Sequence, residues 1–133
     1  MESFRTMLRA KIHRAIVTEA NVDYEGSLTV PPELMDLTGI QEYEAIHVWN
    51  VTRGTRFETY AMRGTEGSGS VCVNGAAAHL AGPGDRIIVA AFSSVPESAV
   101  HTFRPLIVMV DDHNLAFRTG AETPGPQTKR GGC

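Results

Sequence analysis

The chain alternates short apolar runs with turn signals, and the runs set the reading of the fold. "KIHRAIVTEANV", residues 11–22, alternates loosely and is rich in branched side chains, which predicts a strand. "SLTV" at 27–30 predicts a second. "PPELMDLTGI" opens on prolines, carries Glu33 near a helix start and ends on Gly39, which predicts one or two helical turns closed by a glycine. "EAIHVWNV", the turn "TRGT" and "RFETYAMR" predict a hairpin. After the glycine-rich "GTEGSGS" come a strand at "VCVN", a short helix at "GAAAHLA", the turn "GPGD", and strands at "RIIVAAFSSV" and "LIVMVDD". Six or seven strands and two short helices, with no βαβ rhythm and no fixed-period repeat, point to a mainly β fold, a closed or nearly closed β-barrel.

Composition then narrows the picture. The 133 residues are 42% hydrophobic, enough for one domain with its own core, expected over residues 1–120. The segment 121–133, "AETPGPQTKRGGC", is full of Pro, Gly and charge and is expected to be a disordered tail. A formal net charge of -3 disfavours nucleic acid as a partner, because phosphate binding needs a basic face. Cys72 and Cys133 form no CxxC or zinc spacing, so a reducing compartment is the default. The N-terminal segment has no apolar core of signal-peptide type, and "IIVAAF" and "LIVMV" are only strand-length. A soluble cytoplasmic protein, away from membranes, is the expectation.

Candidate chemistry is sparse. His13, His47, His79, His101 and His113 are scattered without ligand spacing, so no metal site is expected. No GxSxG, Walker loop or helix-opening GxGxxG is present. On a strand, "RFETY" turns Arg56, Glu58 and Tyr60 to one face and Phe57 and Thr59 to the other. The bland reading puts Phe57 in the core and the polar residues in water. The chemical reading is an arginine that forks a carboxylate beside a tyrosine able to pass a proton. "NGAAAHLA" is either a tightly packed small-residue helix or a backbone platform offering bare N–H groups.

Gly26-Ser27 lies between two β-prone segments. Locally it reads as a turn. It also allows an uncommon reaction, in which the serine hydroxyl attacks the preceding carbonyl and turns amide into ester. A glycine before the serine leaves the approach open and tolerates strained backbone. Adjacency supplies a high effective molarity. Many Gly-Ser pairs do nothing, so this signal alone decides little.

Three long stretches fall into one pattern. "RTMLRAKIHRAIVTEANVDYEGS", "EAIHVWNVTRGTRFETYA" and "VNGAAAHLAGPGD" together closely resemble the pyruvoyl-dependent aspartate 1-decarboxylases, which make β-alanine for pantothenate. The resemblance runs from about Arg5 to Pro105 and fades in the tail. It implies a double-psi β-barrel, a homotetramer with sites between subunits and L-aspartate as substrate, and it leaves room for a maturation factor. It implies a precursor that cuts itself between Gly26 and Ser27, giving a β chain, 1–26, and an α chain, 27–133. Ser27 would pass through ester and dehydroalanine stages to a pyruvoyl group, the Schiff-base former, with no metal or pyridoxal phosphate. By position, Tyr60 resembles the proton donor. Thr59 resembles a substrate-binding residue that also promotes cleavage at Gly26. Arg56 matches the carboxylate-binding arginine, and Gly75, Ala76 and Ala77 the substrate-binding backbone. Lys11, His13, Tyr24, Trp49 and Asn74 match the rest of the pocket lining.

Two rival readings stand beside this one. "SLTVPPELMDLTGIQEYEAIHVWNV" also resembles the half-barrel of swapped-hairpin transcription regulators. The acidic charge and the lack of an Arg/Lys-rich strand count against that reading. An inactive barrel serving only in assembly is the other, and the match at Gly26, Ser27, Thr59 and Tyr60 counts against it. Thr59 and Tyr60, as neighbours, should face opposite ways on a regular strand. A bulge, a strand end or a site shared between subunits would reconcile them.

Overall fold

The computed structural model describes residues 1–122, 124 and 125. Among these residues nine strands and one α-helix form in the order β1 (Phe4–Ile16), β2 (Glu19–Asn21), β3 (Ser27–Val30), α1 (Pro32–Thr38), β4 (Ala45–Asn50), β5 (Arg56–Arg63), β6 (Cys72–Asn74), β7 (Arg86–Pro96), β8 (Leu106–Val110) and β9 (Ala116–Thr119). Short 3₁₀ turns occupy Gly75–His79 and Glu97–Ala99. The strands make one mixed sheet in the order β2-β6-β3-β5-β4-β7-β1-β8-β9. This is the mainly β architecture the apolar runs predict, and it is consistent with a double-psi barrel.

No ladder joins β2 to β9 among the described residues, so the barrel is not closed by hydrogen bonds. Its ends are bridged by chain continuity, because β1 runs on into β2. At that junction Val17 N–H bonds the Asp85 carbonyl at 2.9 Å, and Thr18 N–H bonds the Val71 carbonyl at 2.8 Å. The single strand expected at 11–22 is therefore two. Arg14 sits at φ 70, and the β1–β7 register slips between His13 and Ala15. That bulge turns the chain from one part of the sheet to the other.

The core is built from alternate strand positions. Ile12, Leu28, Ile46, Val48, Val73, Ile87, Val89 and Val108 are all but sealed from solvent. Each such side chain contributes about 1.5–3 kcal/mol relative to exposure. Helix α1 covers one end with Leu34 and Met35. It stops at Gly39, whose left-handed φ of 73° lets its N–H bond the Met35 carbonyl at 2.8 Å. Asn114 is buried and ties distant segments together. It accepts from Ile16 N–H at 2.7 Å and donates to the carbonyls of Ile16 and Gly69 at 2.9 and 2.8 Å.

Three elements differ from expectation. The helix expected over residues 75–81 is the tighter 3₁₀ turn Gly75–His79. Strand β9 had no strand-like apolar alternation, and all four of its residues are exposed. Its pairing with β8 defines it, not its own composition. β1 also begins earlier than expected, at Phe4, because it pairs along β7 as far as Pro96. Much of the expected tail, residue 123 and residues 126–133, lies outside the described residues. No helix among the described residues is long and apolar enough to cross a membrane.

Candidate active site

Ser27 opens β3 and pairs with Asn74, the last residue of β6. It is 5% exposed. The Asn74 side-chain amide donates to Ser27 Oγ at 3.4 Å and to Thr29 Oγ1 at 3.2 Å. Thr29 shares a strand face with Ser27, two residues on. The amide is thus held between two hydroxyls, one of them the candidate nucleophile. Among the described residues, Asn74 is the side chain that hydrogen-bonds Ser27 Oγ.

The backbone beside the Gly26-Ser27 bond is unusually close-packed. Gly75 has φ +72. A Cβ built there would stand 2.6 Å from Gly26 Cα, 2.9 Å from Gly26 N and 3.2 Å from the Tyr24 carbonyl oxygen. Only a glycine allows this contact. Gly26 itself is not among the positive-φ residues, and a Cβ on it would meet nothing nearer than the Asn74 carbonyl oxygen at 3.8 Å. The left-handed backbone is therefore on Gly75, the supporting residue, and not on Gly26. What an absent Cβ at Gly26 leaves open is the approach to its carbonyl.

Tyr60 reaches this region through register. The parallel β3–β5 ladder begins at Leu28 and Ala61, and Ser27 and Tyr60 are the residues just before them. The Tyr60 ring stacks on Tyr43 with centroids 6.0 Å apart and planes 28° from parallel. Thr59 pairs with Ile46, whose side chain is in the core. Thr59 and Tyr60 therefore face opposite ways, as alternation requires. The β4–β5 ladder runs from Trp49 and Arg56 to Ala45 and Tyr60 in continuous register, so no bulge reconciles them there.

A second group forms further along the outer face. Across β1, β7, β4 and β5, His13, Ile88, Trp49 and Arg56 fall in one row. Lys11, Ala90, His47 and Glu58 fall in the next. The Arg56 guanidinium lies 5.0 Å over the Trp49 ring, a favourable cation–π contact. Among the described residues Arg56 makes no ion pair, so its N–H edge is open to an anion. His47 Nδ1 and Glu58 Oε1 are 3.5 Å apart. These residues, with Phe57 and Phe92, line a cavity of about 420 Å³. Lys11 is nearly buried and pairs with Glu122 at 2.5 Å. Burial, then the charges of Lys11 and Arg14, push the His13 pKa down. Among the described residues its Nδ1 is buried without a hydrogen-bond partner, and burial and the neighbouring cations both favour the neutral ring.

The structure thus brings Gly26, Ser27, Asn74 and Gly75 together, with Tyr60 alongside by register. Lys11, His13, Trp49 and Arg56 gather in the second group. Ala76 and Ala77 follow in the 3₁₀ turn. Tyr24 is largely exposed and comes to the junction by its backbone carbonyl. Sequence reasoning missed Thr29, Tyr43 and Phe92. Alternation from Ser27 could have pointed to Thr29; nothing local marks Tyr43 or Phe92. No group of three or more His, Cys, Asp or Glu suited to a metal occurs among the described residues.

These features define a mainly β protein with a close-packed backbone junction at Gly26-Ser27 and, on the same sheet, an arginine without an ion pair among the described residues. The aspartate decarboxylase family model matches residues 3–116. The chain belongs to that family. It is 56% identical to an aspartate 1-decarboxylase of Rhodopirellula baltica, over 95% of this chain and 81% of that one. It is 50% identical to an aspartate 1-decarboxylase of Legionella pneumophila (strain Lens), covering 96% of both. A Myxococcus xanthus aspartate 1-decarboxylase is 48% identical, over 94% and 97%.

Proposed function

We propose that this chain is made as a precursor that cuts itself between Gly26 and Ser27, and that the matured protein decarboxylates L-aspartate to β-alanine and CO2 for pantothenate synthesis. The observation that carries this reading is the Gly26-Ser27 junction packed on Gly75, with Asn74 on the Ser27 hydroxyl, in a member of the aspartate decarboxylase family.

The maturation chemistry is the one that the family resemblance implies, and those contacts fit it. Ser27 Oγ attacks the Gly26 carbonyl carbon, the C–N bond breaks, and the serine nitrogen takes a proton. The ester that results loses the Ser27 Cα proton and its Cβ–Oγ bond, which releases Gly26 as a carboxylate. Water then replaces nitrogen at the dehydroalanine, ammonia leaves, and residue 27 ends as a pyruvoyl group. Asn74 donates to Oγ and orients it; the hydroxyl proton stays free to leave. Gly75 fixes Gly26 from behind. Thr59 is the residue proposed to assist at the Gly26 carbonyl and to bind substrate.

The pyruvoyl ketone supplies the electron sink that decarboxylating an amino acid needs and no ordinary side chain offers. The other tasks belong to the chain itself. Arg56, held flat by Trp49, forks the carboxylate that the substrate keeps. Tyr60 delivers the proton that replaces CO2. Gly75, Ala76 and Ala77 present backbone to the bound substrate, and Lys11, His13, Tyr24, Trp49 and Asn74 complete the lining.

Arg56 and Tyr60 stand four residues apart on one strand, roughly 13 Å between Cα atoms at the usual strand rise. Aspartate has only four carbons. That separation supports a site completed by a neighbouring protomer, in a homotetramer, where the open Arg56 of one copy serves the junction of another. A cytoplasmic setting and a possible maturation factor belong to the same proposal. Tested with carboxyl-labelled aspartate, purified protein releases CO2 and Ser27→Ala does not. Release by Ser27→Ala at the same rate would overturn the reading.

A further inference from the structure

Among the described residues, Tyr43 is one of three non-glycine residues with positive φ, at 69°, and the only aromatic of the three. A bulky side chain in the left-handed region is strained and is uncommon without cause. The backbone is held there from both sides. Tyr43 N–H bonds the Ala61 carbonyl at 2.8 Å, and Ala61 N–H bonds the Glu44 carbonyl at 3.0 Å. These two bonds clamp the turn before β4 onto β5, directly beside Tyr60. Asparagine or glycine would sit in such a turn without strain. What the tyrosine adds is its ring, stacked on Tyr60, in a residue that is 73% exposed. Burial does not explain its presence, since most of it is not buried.

We infer that Tyr43 is a positioning residue for Tyr60: its ring, held by a strained turn, fixes the Tyr60 phenol in the orientation from which it hands over its proton. This rests on the proton-donor role of Tyr60. A two-χ aromatic at a half-buried strand position such as Tyr60 would otherwise sample several rotamers. A stacked ring reduces that freedom without making a hydrogen bond to the hydroxyl, and the phenol proton stays available.

Three variants and one spectrum test it, in the full chain and with kcat counted per cleaved subunit by intact mass. Tyr43→Asn keeps the left-handed turn but removes the ring. It lowers kcat roughly tenfold, the scale of one aromatic contact spent on orientation. It leaves KM and the oligomeric state as they were, and Tm within about 2 °C. Tyr43→Phe, which keeps the ring, restores kcat to within about twofold. In a Tyr60→Phe background Tyr43→Asn has no further effect. Independently of activity, the Ser27→Ala chain is labelled with 3-fluorotyrosine, whose three resonances are assigned by substitution. The Tyr60 resonance shifts with Tyr43→Asn and not with Tyr43→Phe. Unchanged kcat and an unmoved resonance in Tyr43→Asn, with Tyr60→Phe slow, overturn the inference alone. A fall in kcat that tracks lost Tm or lost assembly also overturns it, in favour of a structural role. Full activity of Tyr60→Phe removes the proton-donor reading first, and this inference with it.

Discussion

Replacing Gly75 by alanine perturbs the cleavage junction without substituting either residue of the bond. Two costs follow from the geometry. The backbone at φ +72 strains a residue with a Cβ by about 1–2 kcal/mol. The new methyl also meets Gly26 Cα at 2.6 Å, and ordinary contact begins near 3.4 Å, so Gly26 must retreat by about 0.8 Å. The atom displaced adjoins the carbonyl that Ser27 is proposed to attack. Misplacing reacting groups by about 1 Å can cost about 10²-fold in rate. Self-cleavage of Gly75→Ala is therefore expected to slow by roughly 10- to 100-fold, with a Tm loss of roughly 3–8 °C. Gly84→Ala is the control, because Gly84 has φ +89 and nothing lies within 4 Å of a built Cβ. It carries the backbone strain and none of the displacement. An intact-mass time course on freshly purified protein reads both variants. Wild-type cleavage in Gly75→Ala, with a Tm like that of Gly84→Ala, would refute the reasoning.

Other expectations follow from single contacts. Arg56→Ala removes a charged hydrogen-bonding partner worth about 1.5–3 kcal/mol, so KM for aspartate rises roughly 10- to 100-fold with little change in kcat; an unchanged KM assigns the carboxylate to another cation. Burial pushes the Asp85 carboxyl up, but the Gly82 amide, Asn50 and Arg53 outweigh it and hold it below its ordinary value. All three reach Oδ2, at 2.9, 2.9 and 2.8 Å. A depressed carboxyl stabilises the fold above its unfolded pKa, and the contribution fades as pH falls through the folded one. Acid titration of the Ser27→Ala chain should show that loss below about pH 4, and Asp85→Asn should lack it while being weaker by about 1.5–3 kcal/mol at pH 7. Asn114→Ala strands three part-buried backbone groups and should cost about 2–3 kcal/mol in urea unfolding of the same chain.

The strands of the core were legible because alternation survives wherever one face is buried. "EAIHVWNV" and "RFETYAMR" became β4 and β5 with the faces that alternation assigns, including Trp49 opposite Arg56. Gly39 ended its helix as a left-handed cap. What failed was whatever partners decide. Strand β9 is exposed and exists through β8, and the break between β1 and β2 comes from Arg14 and the bonds of Val17 and Thr18. The Gly26-Ser27 pair was visible, but its support was not. Gly75 lies 49 positions away, and no local pattern says that its missing Cβ makes room for Gly26. Tyr43 was equally hidden, since a tyrosine in a left-handed turn looks like any other exposed tyrosine in sequence.

The central claim is that the bond between Gly26 and Ser27 is the precursor of the catalytic group. Intact-mass spectrometry of the purified protein, paired with a CO2-release assay on the same sample, tests it most directly. Two chains are expected, residues 1–26 ending in a carboxyl group and residues 27–133 lacking a free amine and short by the elements of ammonia, with activity in proportion to the cleaved fraction. A single uncut chain that releases CO2 from aspartate would contradict the account.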